Sequence, residues 1–277
     1  QSIGSGLHFF YESISNVKFH FSNAYLGNKF TTFDNKFIHF IESIYEGLEY
    51  FVDDIEKGPI VWFNGRAESG PRALGNRSLL ADPRTIDSKI RLNEIKQREW
   101  WRPVAPIILE SECSDWFEDS FISKYMLNNF KIKNDKKSLV PAILHLDNTS
   151  RVQTVGHENS LLNKALKIFY KTTKIPIICN TSLNDKGEPI IDNINQAFNF
   201  TLRKKIEIIY INGKRFKMKN FSDYNETMPL KRYDEFFSKS KVISKEINPF
   251  GITAKEYYMY MNSGVLHDFN FRNEKEV

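Results

Sequence analysis

Cysteine is nearly missing from this chain: Cys113 and Cys179 are the two it has, far apart and outside any C-x-x-C pair. That excludes a disulfide framework and a cysteine-rich zinc site, and it points to a reducing compartment. No apolar run reaches membrane-spanning length, and no basic-then-apolar leader is present. A cytoplasmic protein with no membrane partner is therefore expected. Internal repeats and low-complexity tracts are absent as well, which excludes a solenoid. Neither charge sign dominates, since 39 Lys and Arg stand against 34 Asp and Glu for a net +5. Mild basicity of that size suits anionic small molecules, nucleic acid or neither. What is there is length and apolar content, 277 residues at 41% hydrophobic, sufficient for one substantial core or a core with a small appendage. The chain starts at Gln1 inside an aromatic pattern, and the expectation is a segment cut from something longer.

Hydrophobic patterning alternates between strand and helix. Residues 1–28 read as the last helix and exit loop of a preceding domain. Asp34 is positioned to cap an amphipathic helix through Phe37, Phe40, Ile41, Ile44 and Leu48, with Glu56-Lys57-Gly58 closing the following turn. Pro59 to Phe63 predicts a strand, Ile86 to Gln97 a helix, and Val104 to Leu109 a second strand. Further strands are expected at Val140 to Leu146 and Ile175 to Cys179, with helices at Leu161 to Phe169 and Asn195 to Leu202. Ile206 to Ile211 runs into Asn212-Gly213, a hairpin turn signal. Strands alternating with helices define an α/β domain with a mixed sheet. From about Lys219 the pattern weakens into an aromatic, charged extension.

Arginine is distributed unevenly. Arg66, Arg72, Arg77, Arg84, Arg91, Arg98 and Arg102 fall within 37 residues of a chain that otherwise prefers lysine, far more than even scatter leaves in such a window. The planar guanidinium fork matches phosphate and carboxylate geometry. A cluster in a Gly-Pro loop directly after a buried strand reads as an anion site more readily than as a solvated face. Gly70 and Gly75 have the spacing of a phosphate-binding P-loop and Ser78 lies near the expected hydroxyl, but Asn76-Arg77 replaces its Gly-Lys and Pro71 removes a backbone N–H. A P-loop kinase or GTPase is rejected on that ground.

Three further stretches carry polar chemistry. Lys96 to Pro103 sets three cations around Trp100 and Trp101, which suits a nucleotide or simple stacking of arginines on exposed rings. His145 and Asp147 are expected on one face of a strand end with Arg151 near, although a lone His is more often a satisfied structural group than a catalyst. Asn180-Thr181-Ser182-Leu183-Asn184 follows a buried strand, where α/β sheets hold ligands, and an Asn- and Ser-rich turn is the bland alternative.

These blocks, in this order, resemble the O-carbamoyltransferase family of nodulation and antibiotic carbamoylation. The resemblance rests on G-R-x-E-x-G-P-R-A-L-G-N-R-S at Gly65 to Ser78, A-D-P-R at Ala81 to Arg84 and K-x-R-E-x-W-R-P-x-A-P at Lys96 to Pro106. H-x-D-x-T-x-R-V-Q-T at His145 to Thr154 and N-T-S-x-N at Asn180 to Asn184 complete it. Ser69 stands where the family has an aromatic residue and Leu183 where it has Phe, which touches pocket shape more than charge.

The resemblance implies a YrdC- and Sua5-like twisted mixed sheet flanked by helices over 29–218, preceded by a remnant of a Kae1-like transfer domain over 1–28. Residues 219–277 are an extension with no counterpart in the family. It implies formation of carbamoyl adenylate from carbamoyl phosphate and ATP with nucleotide-bound Mg2+, for O-carbamoylation of a hydroxyl-bearing acceptor. The Kae1-like domain that performs the transfer would be joined in cis or be a separate chain, and any transfer-site metal would belong to it. By analogy Arg72, Lys96, Arg102 and Arg151 face carbamoyl phosphate. Asn180, Thr181, Ser182, Asn184 and His145 assist as substrate-binding groups. Arg66, Arg77, Arg84 and Arg98 face the nucleotide or pair structurally with Glu68, Asp82 or Glu99. The competing readings are a threonylcarbamoyl-adenylate synthase-like enzyme and a non-enzymatic RNA- or DNA-binding module. The second predicts basic residues spread over a convex face, whereas arginine is confined here to one loop and its neighbours.

Overall fold

Residues 23–230 are described by the structure, a computed structural model. The chain divides into two compact units, 1–229 and 230–277, and the described residues belong to the first apart from Leu230. The segment expected as the end of a preceding domain lies outside the described residues up to residue 22. The C-terminal extension lies outside them from residue 231.

The segment after Asp34 corrects the sequence reading. A 3-10 turn over Asn35–Phe40 buries Phe37 and Phe40, and the chain then extends as β1, Ile41–Glu46. The three- and four-residue spacing of apolar groups fits a helix, but pairing with a partner strand far along the chain overrides a local preference of that kind. Ile44 consequently faces solvent at 52% exposure. Helix α1 follows at Phe51–Lys57 and stops at Gly58.

Strand β2, Ile60–Phe63, is buried at all four positions. Strand β3, Arg77–Ala81, is also wholly buried, although its first residue is an arginine. Helix α2 spans Ile86–Ile95, β4 spans Ala105–Leu109 and a short α3 covers Cys113–Trp116. Where a strand is expected at Val140 to Leu146, the chain instead makes 3-10 turns at Lys137–Leu139 and Pro141–Ile143. Pro141 has no N–H to give a ladder. Short strands β5, Asn129–Lys131, and β6, Thr149–Arg151, pair as a two-stranded ribbon before β7, Gln153–Val155.

Helix α4, Ser160–Thr173, is capped by Asn159, whose side chain accepts from the Leu162 N–H, and ends at Lys174 in the left-handed region. Its Leu162, Ala165, Leu166 and Phe169 repeat at helical spacing and are fully buried. Each of the larger three contributes about 1.5–3 kcal/mol relative to exposure. Strand β8 is Ile177–Ser182, and α5, Ile194–Arg203, opens with a capping box between Asn193 and Gln196. Strands β9, Ile208–Ile211, and β10, Lys214–Met218, are joined through Asn212 and Gly213, both at positive φ as a type I′ hairpin requires.

Eight strands form one mixed sheet in the order β1-β10-β9-β2-β3-β8-β4-β7. The β2–β9 and β4–β7 pairs are parallel and the other neighbours antiparallel. The sheet is flanked by helices, as an α/β reading requires. Among the described residues no helix is long and apolar enough to cross a membrane.

Candidate anion site

Register brings distant motifs to one end of this sheet. Phe63, the last residue of β2, pairs with Arg77 at the start of β3, and Ser78 pairs with Ser182 at the end of β8. Asn180 pairs with Ala105 at the start of β4, and β7 starts at Gln153 opposite Ile107. The Gly-Pro loop, the loop ahead of β4, the end of β8 and the entry to β7 therefore converge.

The Gly-Pro loop is held from inside. Glu68 Oε1 accepts from the backbone N–H groups of Leu74 at 2.7 Å, Asn76 at 2.8 Å and Arg77 at 3.2 Å. Gly75 sits at φ +94°, and a Cβ there would lie 2.2 Å from Leu162 Cδ2, so only glycine fits. Arg77 is fully buried. Its guanidinium donates to the carbonyls of Asn28, Asn64, Gly65, Asn76 and Asp192 and lies 3.6 Å from the Phe63 ring centroid. Burial pushes its pKa down to about 10, yet it stays cationic at neutral pH. With every arm engaged, Arg77 clamps the loop to β2 and to the entry of α5. Arg66 points outward and donates to the Leu26 carbonyl at 3.0 Å.

Arg84 lies beyond the far end of β3, away from this convergence. It forms a double hydrogen bond with Asp82 and a 2.6 Å pair with Glu56, and its pKa is raised chiefly by Asp82. That is the structural pairing with Asp82 considered from the sequence.

The remaining arginines gather with little acidic company. Arg72 is exposed and has no hydrogen-bond or ion-pair partner among the described residues. Arg98 donates to Thr181 Oγ1 at 3.4 Å. Burial lowers its pKa first, followed by repulsion from Arg102 and Arg72, with Glu99 opposing. Arg151 is lowered in the same way, by burial and then by Arg72 and Arg98, and its buried Nε lacks an acceptor among the described residues. Arg102 pairs with Glu99 at 2.9 Å and lies 5.3 Å from the Trp101 ring centroid, both side chains of the ion pair being half exposed. Arg98 and Arg151 thus feel the charge of neighbouring guanidinium groups while Glu99 is the carboxylate paired among them, and such a gathering is a candidate site for a multiply charged anion.

Lys96, 2% exposed, lies within reach of the Arg98 charge. Its ammonium is ringed by oxygens, the Ser182 carbonyl at 2.7 Å and the Asn184 carbonyl and side-chain oxygen. Burial, then repulsion from Arg98, pushes its pKa down to about 7. Ser182 Oγ donates to Asn184 Oδ1 at 2.6 Å, so both residues are committed to the Lys96 cage.

Successive side chains of a strand leave opposite faces, and Asn180 and Thr181 diverge accordingly. Thr181 meets Arg98, while Asn180 donates to the Ala73 carbonyl at 2.9 Å and is 1% exposed. Asn180 thus supports the loop from behind.

His145 is in a tight turn, not at a strand end: its N–H donates to Thr149 O, Asn148 donates back to it, and Asn148 has φ +61°. The imidazole is half-buried with Nδ1 3.1 Å from Thr149 Oγ1. Burial lowers its pKa, Asp147 opposes, and Arg151 and Lys89 lower it further, which favours the neutral imidazole. Cys113 and Cys179 are both buried thiols whose pKa burial raises, which leaves neither as a thiolate.

Two residues of the site are not singled out by sequence. Gln153, 1% exposed, donates through Nε2 to the Leu74 carbonyl at 2.8 Å, next to the carbonyl that Asn180 holds. Asn93, 3% exposed, donates to the carbonyls of Trp100 and Arg102. Gln153 was visible only as one letter of a motif, and nothing local marks Asn93. A cavity of about 760 Å3 opens at the other end of the sheet, where Ile60 and Ile208 begin β2 and β9. Its arginines, Arg91 and Arg215, are paired with Glu94 and Asp54.

The domain is a mixed α/β sheet with an arginine cluster at one end, a candidate anion site. The family described as Carbamoyltransferase C-terminus matches residues 52–217, and the chain belongs to it. Nodulation protein U of Azorhizobium caulinodans is 44% identical over 140 residues, covering 50% of this chain and 25% of that protein. Nodulation protein NolNO of Sinorhizobium fredii is 38% identical over 175 residues, 61% of this chain and 26% of that one. The 3'-hydroxymethylcephem-O-carbamoyltransferase of Amycolatopsis lactamdurans is 36% identical over 176 residues, 55% and 33% respectively. The chain spans between a quarter and a third of the length of these relatives. Among solved structures, T. kodakarensis HypF aligns with a TM-score of 0.40 at 16% identity, over 62% of this chain and 25% of that one, a likeness too loose to carry an argument.

Proposed function

We propose that this chain is the activating portion of an ATP-dependent O-carbamoyltransferase and forms carbamoyl adenylate from carbamoyl phosphate and ATP. The observation that carries the reading is the gathering of Arg72, Arg98, Arg102 and Arg151 near buried Lys96, with Glu99 paired to Arg102 and with Asp185 and Glu188 acting on Lys96. Two phosphorylated substrates brought together repel each other, and a fixed excess of guanidinium offsets that repulsion. A dinuclear or zinc hydrolase reading gains nothing from this set of side chains, whose chemistry is anion binding.

Water cleaves carbamoyl phosphate to carbamate and inorganic phosphate. A carbamate oxygen then attacks the ATP α-phosphorus, the bond to the β-phosphate oxygen breaks, and pyrophosphate leaves. Arg72, Arg102 and Arg151 hold carbamoyl phosphate, with Lys96 charging beneath it. Arg98 and Thr181 meet the nucleotide phosphates, and Arg66 lies at the outer edge of the same loop. Among the described residues no three His, Cys, Asp or Glu gather to hold a metal; magnesium brought with the nucleotide would offset charge on the pyrophosphate as it leaves. Arg77 and Arg84 act through the scaffold. Transfer to a hydroxyl-bearing acceptor falls to a Kae1-like domain outside this chain, and the YrdC-like comparison for the present sheet belongs to the same proposal.

A pyrophosphate-release assay on the folded chain tests the reading. Release is expected only when ATP, magnesium and carbamoyl phosphate are all present. Release equal to the no-enzyme blank with all three would refute it.

A further inference from the structure

Tryptophan is the costliest side chain to leave in water, and Trp100 is 74% exposed, with Trp101 beside it at 46%. Neither is stranded on a floppy loop. Asn93, buried at the end of α2, donates to the carbonyls of Trp100 at 3.3 Å and Arg102 at 3.0 Å and accepts from Arg98 N–H through its own carbonyl at 2.8 Å. Gln97 takes φ +51° to turn the chain out of the helix, and the Arg102 N–H closes back onto the Glu99 carbonyl at 3.1 Å. A buried amide and a left-handed residue thus hold the loop in a shape that presents two indoles next to two arginines. Trp101 already has the Arg102 guanidinium 5.3 Å from its ring centroid. Trp100 has no ring or cation contact among the described residues.

We propose that Trp100 is the stacking platform for the base of a nucleotide whose phosphates lie on Arg98 and its arginine neighbours, so that one loop reads both ends of the ligand. The inference rests on the nucleotide part of the proposed function and adds the residue that holds the base. Charge complementarity selects this occupant over a protein partner. An aromatic ring flanked by Arg98 and Arg102 suits a flat base carrying an anionic tail, since stacking accepts any base face while guanidinium groups take the phosphates. Trp101, stabilised by Arg102, forms the wall behind it.

Binding of ATP and of inorganic tripolyphosphate, which keeps the anion and lacks the base, is compared by calorimetry on wild type, Trp100→Ala and Trp100→Phe. Wild type is expected to hold ATP about tenfold more tightly than tripolyphosphate, the scale of one base–aromatic stack. Trp100→Ala should bring ATP to the tripolyphosphate affinity without changing the tripolyphosphate value or the thermal midpoint, and Trp100→Phe should restore most of the loss. Because Trp62 and Trp116 are buried, ATP should also quench wild-type fluorescence more than tripolyphosphate does. Wild-type ATP affinity in Trp100→Ala overturns the platform while leaving the anion site standing, and so does an equal loss for both ligands. Failure of wild type to bind either ligand overturns the nucleotide reading itself, and the platform with it.

Discussion

Anion binding should charge Lys96. Its pKa is pushed down to about 7 by burial and then by Arg98, against the pull of Asp185 and Glu188, so at pH 8 the free protein holds much of it neutral. A carbamoyl phosphate dianion seated among Arg72, Arg102 and Arg151 favours the ammonium form and returns the group toward its ordinary range near 10.4, which means net proton uptake on binding at pH 8. The readout is calorimetry in two buffers of different ionisation enthalpy, whose slope gives the protons exchanged. Lys96→Met should bind more weakly and show almost no buffer dependence. His145 adds little at this pH because its pKa lies below the ordinary histidine value. The same shift has a stability consequence. The folded pKa lies below that of the unfolded chain, so between about pH 7 and 10.4 the unfolded state binds more protons and stability rises with pH; below pH 7 the group contributes no further slope. Strong carbamoyl phosphate binding at pH 8 with no proton uptake would refute the assignment of Lys96 to the floor of the site.

Arg102→Lys is expected to weaken carbamoyl phosphate binding by about 1.5–3 kcal/mol, because an ammonium cannot reproduce a bidentate fork. Its thermal midpoint should stay put, since the Glu99 pair is half exposed and contributes little; wild-type affinity would make Arg102 a plain surface cation on Trp101. Arg77→Met should behave oppositely and lose about 3–5 kcal/mol in denaturant unfolding, as buried carbonyls lose their shared donor. An unchanged midpoint there would remove the clamp from the account. Gly75→Ala combines positive φ with a 2.2 Å overlap on Leu162, and a loss of about 1–3 kcal/mol is expected by thermal unfolding.

Elements with strong local signals were legible in sequence: β2 and β8 as continuous apolar runs, α4 from its repeating face, α5 as the helix expected around Asn195 to Leu202, and the β9–β10 turn from Asn212-Gly213. Strand β1 was not, because Ile41 and Ile44 are spaced like a helix face and only the β10 ladder makes them a strand. Strand β3 was hidden inside a motif that reads as loop, and its burial begins with an arginine whose five carbonyl partners come from four separate places in the chain. Clustering revealed that arginines gather between residues 66 and 102, yet not which ones remain available. Arg84 and Arg77 are committed to Asp82 and to carbonyls, while Arg72 and Arg151 are not. Asn93 and Gln153 escaped because an amide that fixes a distant carbonyl has no sequence signature.

The central claim is the identity of the product, and the direct measurement is mass spectrometry of the reaction of the folded chain with carbonyl-13C carbamoyl phosphate, ATP and magnesium. A labelled carbamoyl adenylate is expected, accompanied by phosphate and pyrophosphate in equal amounts. ADP as the nucleotide product, or AMP that never carries the label, would contradict the claim.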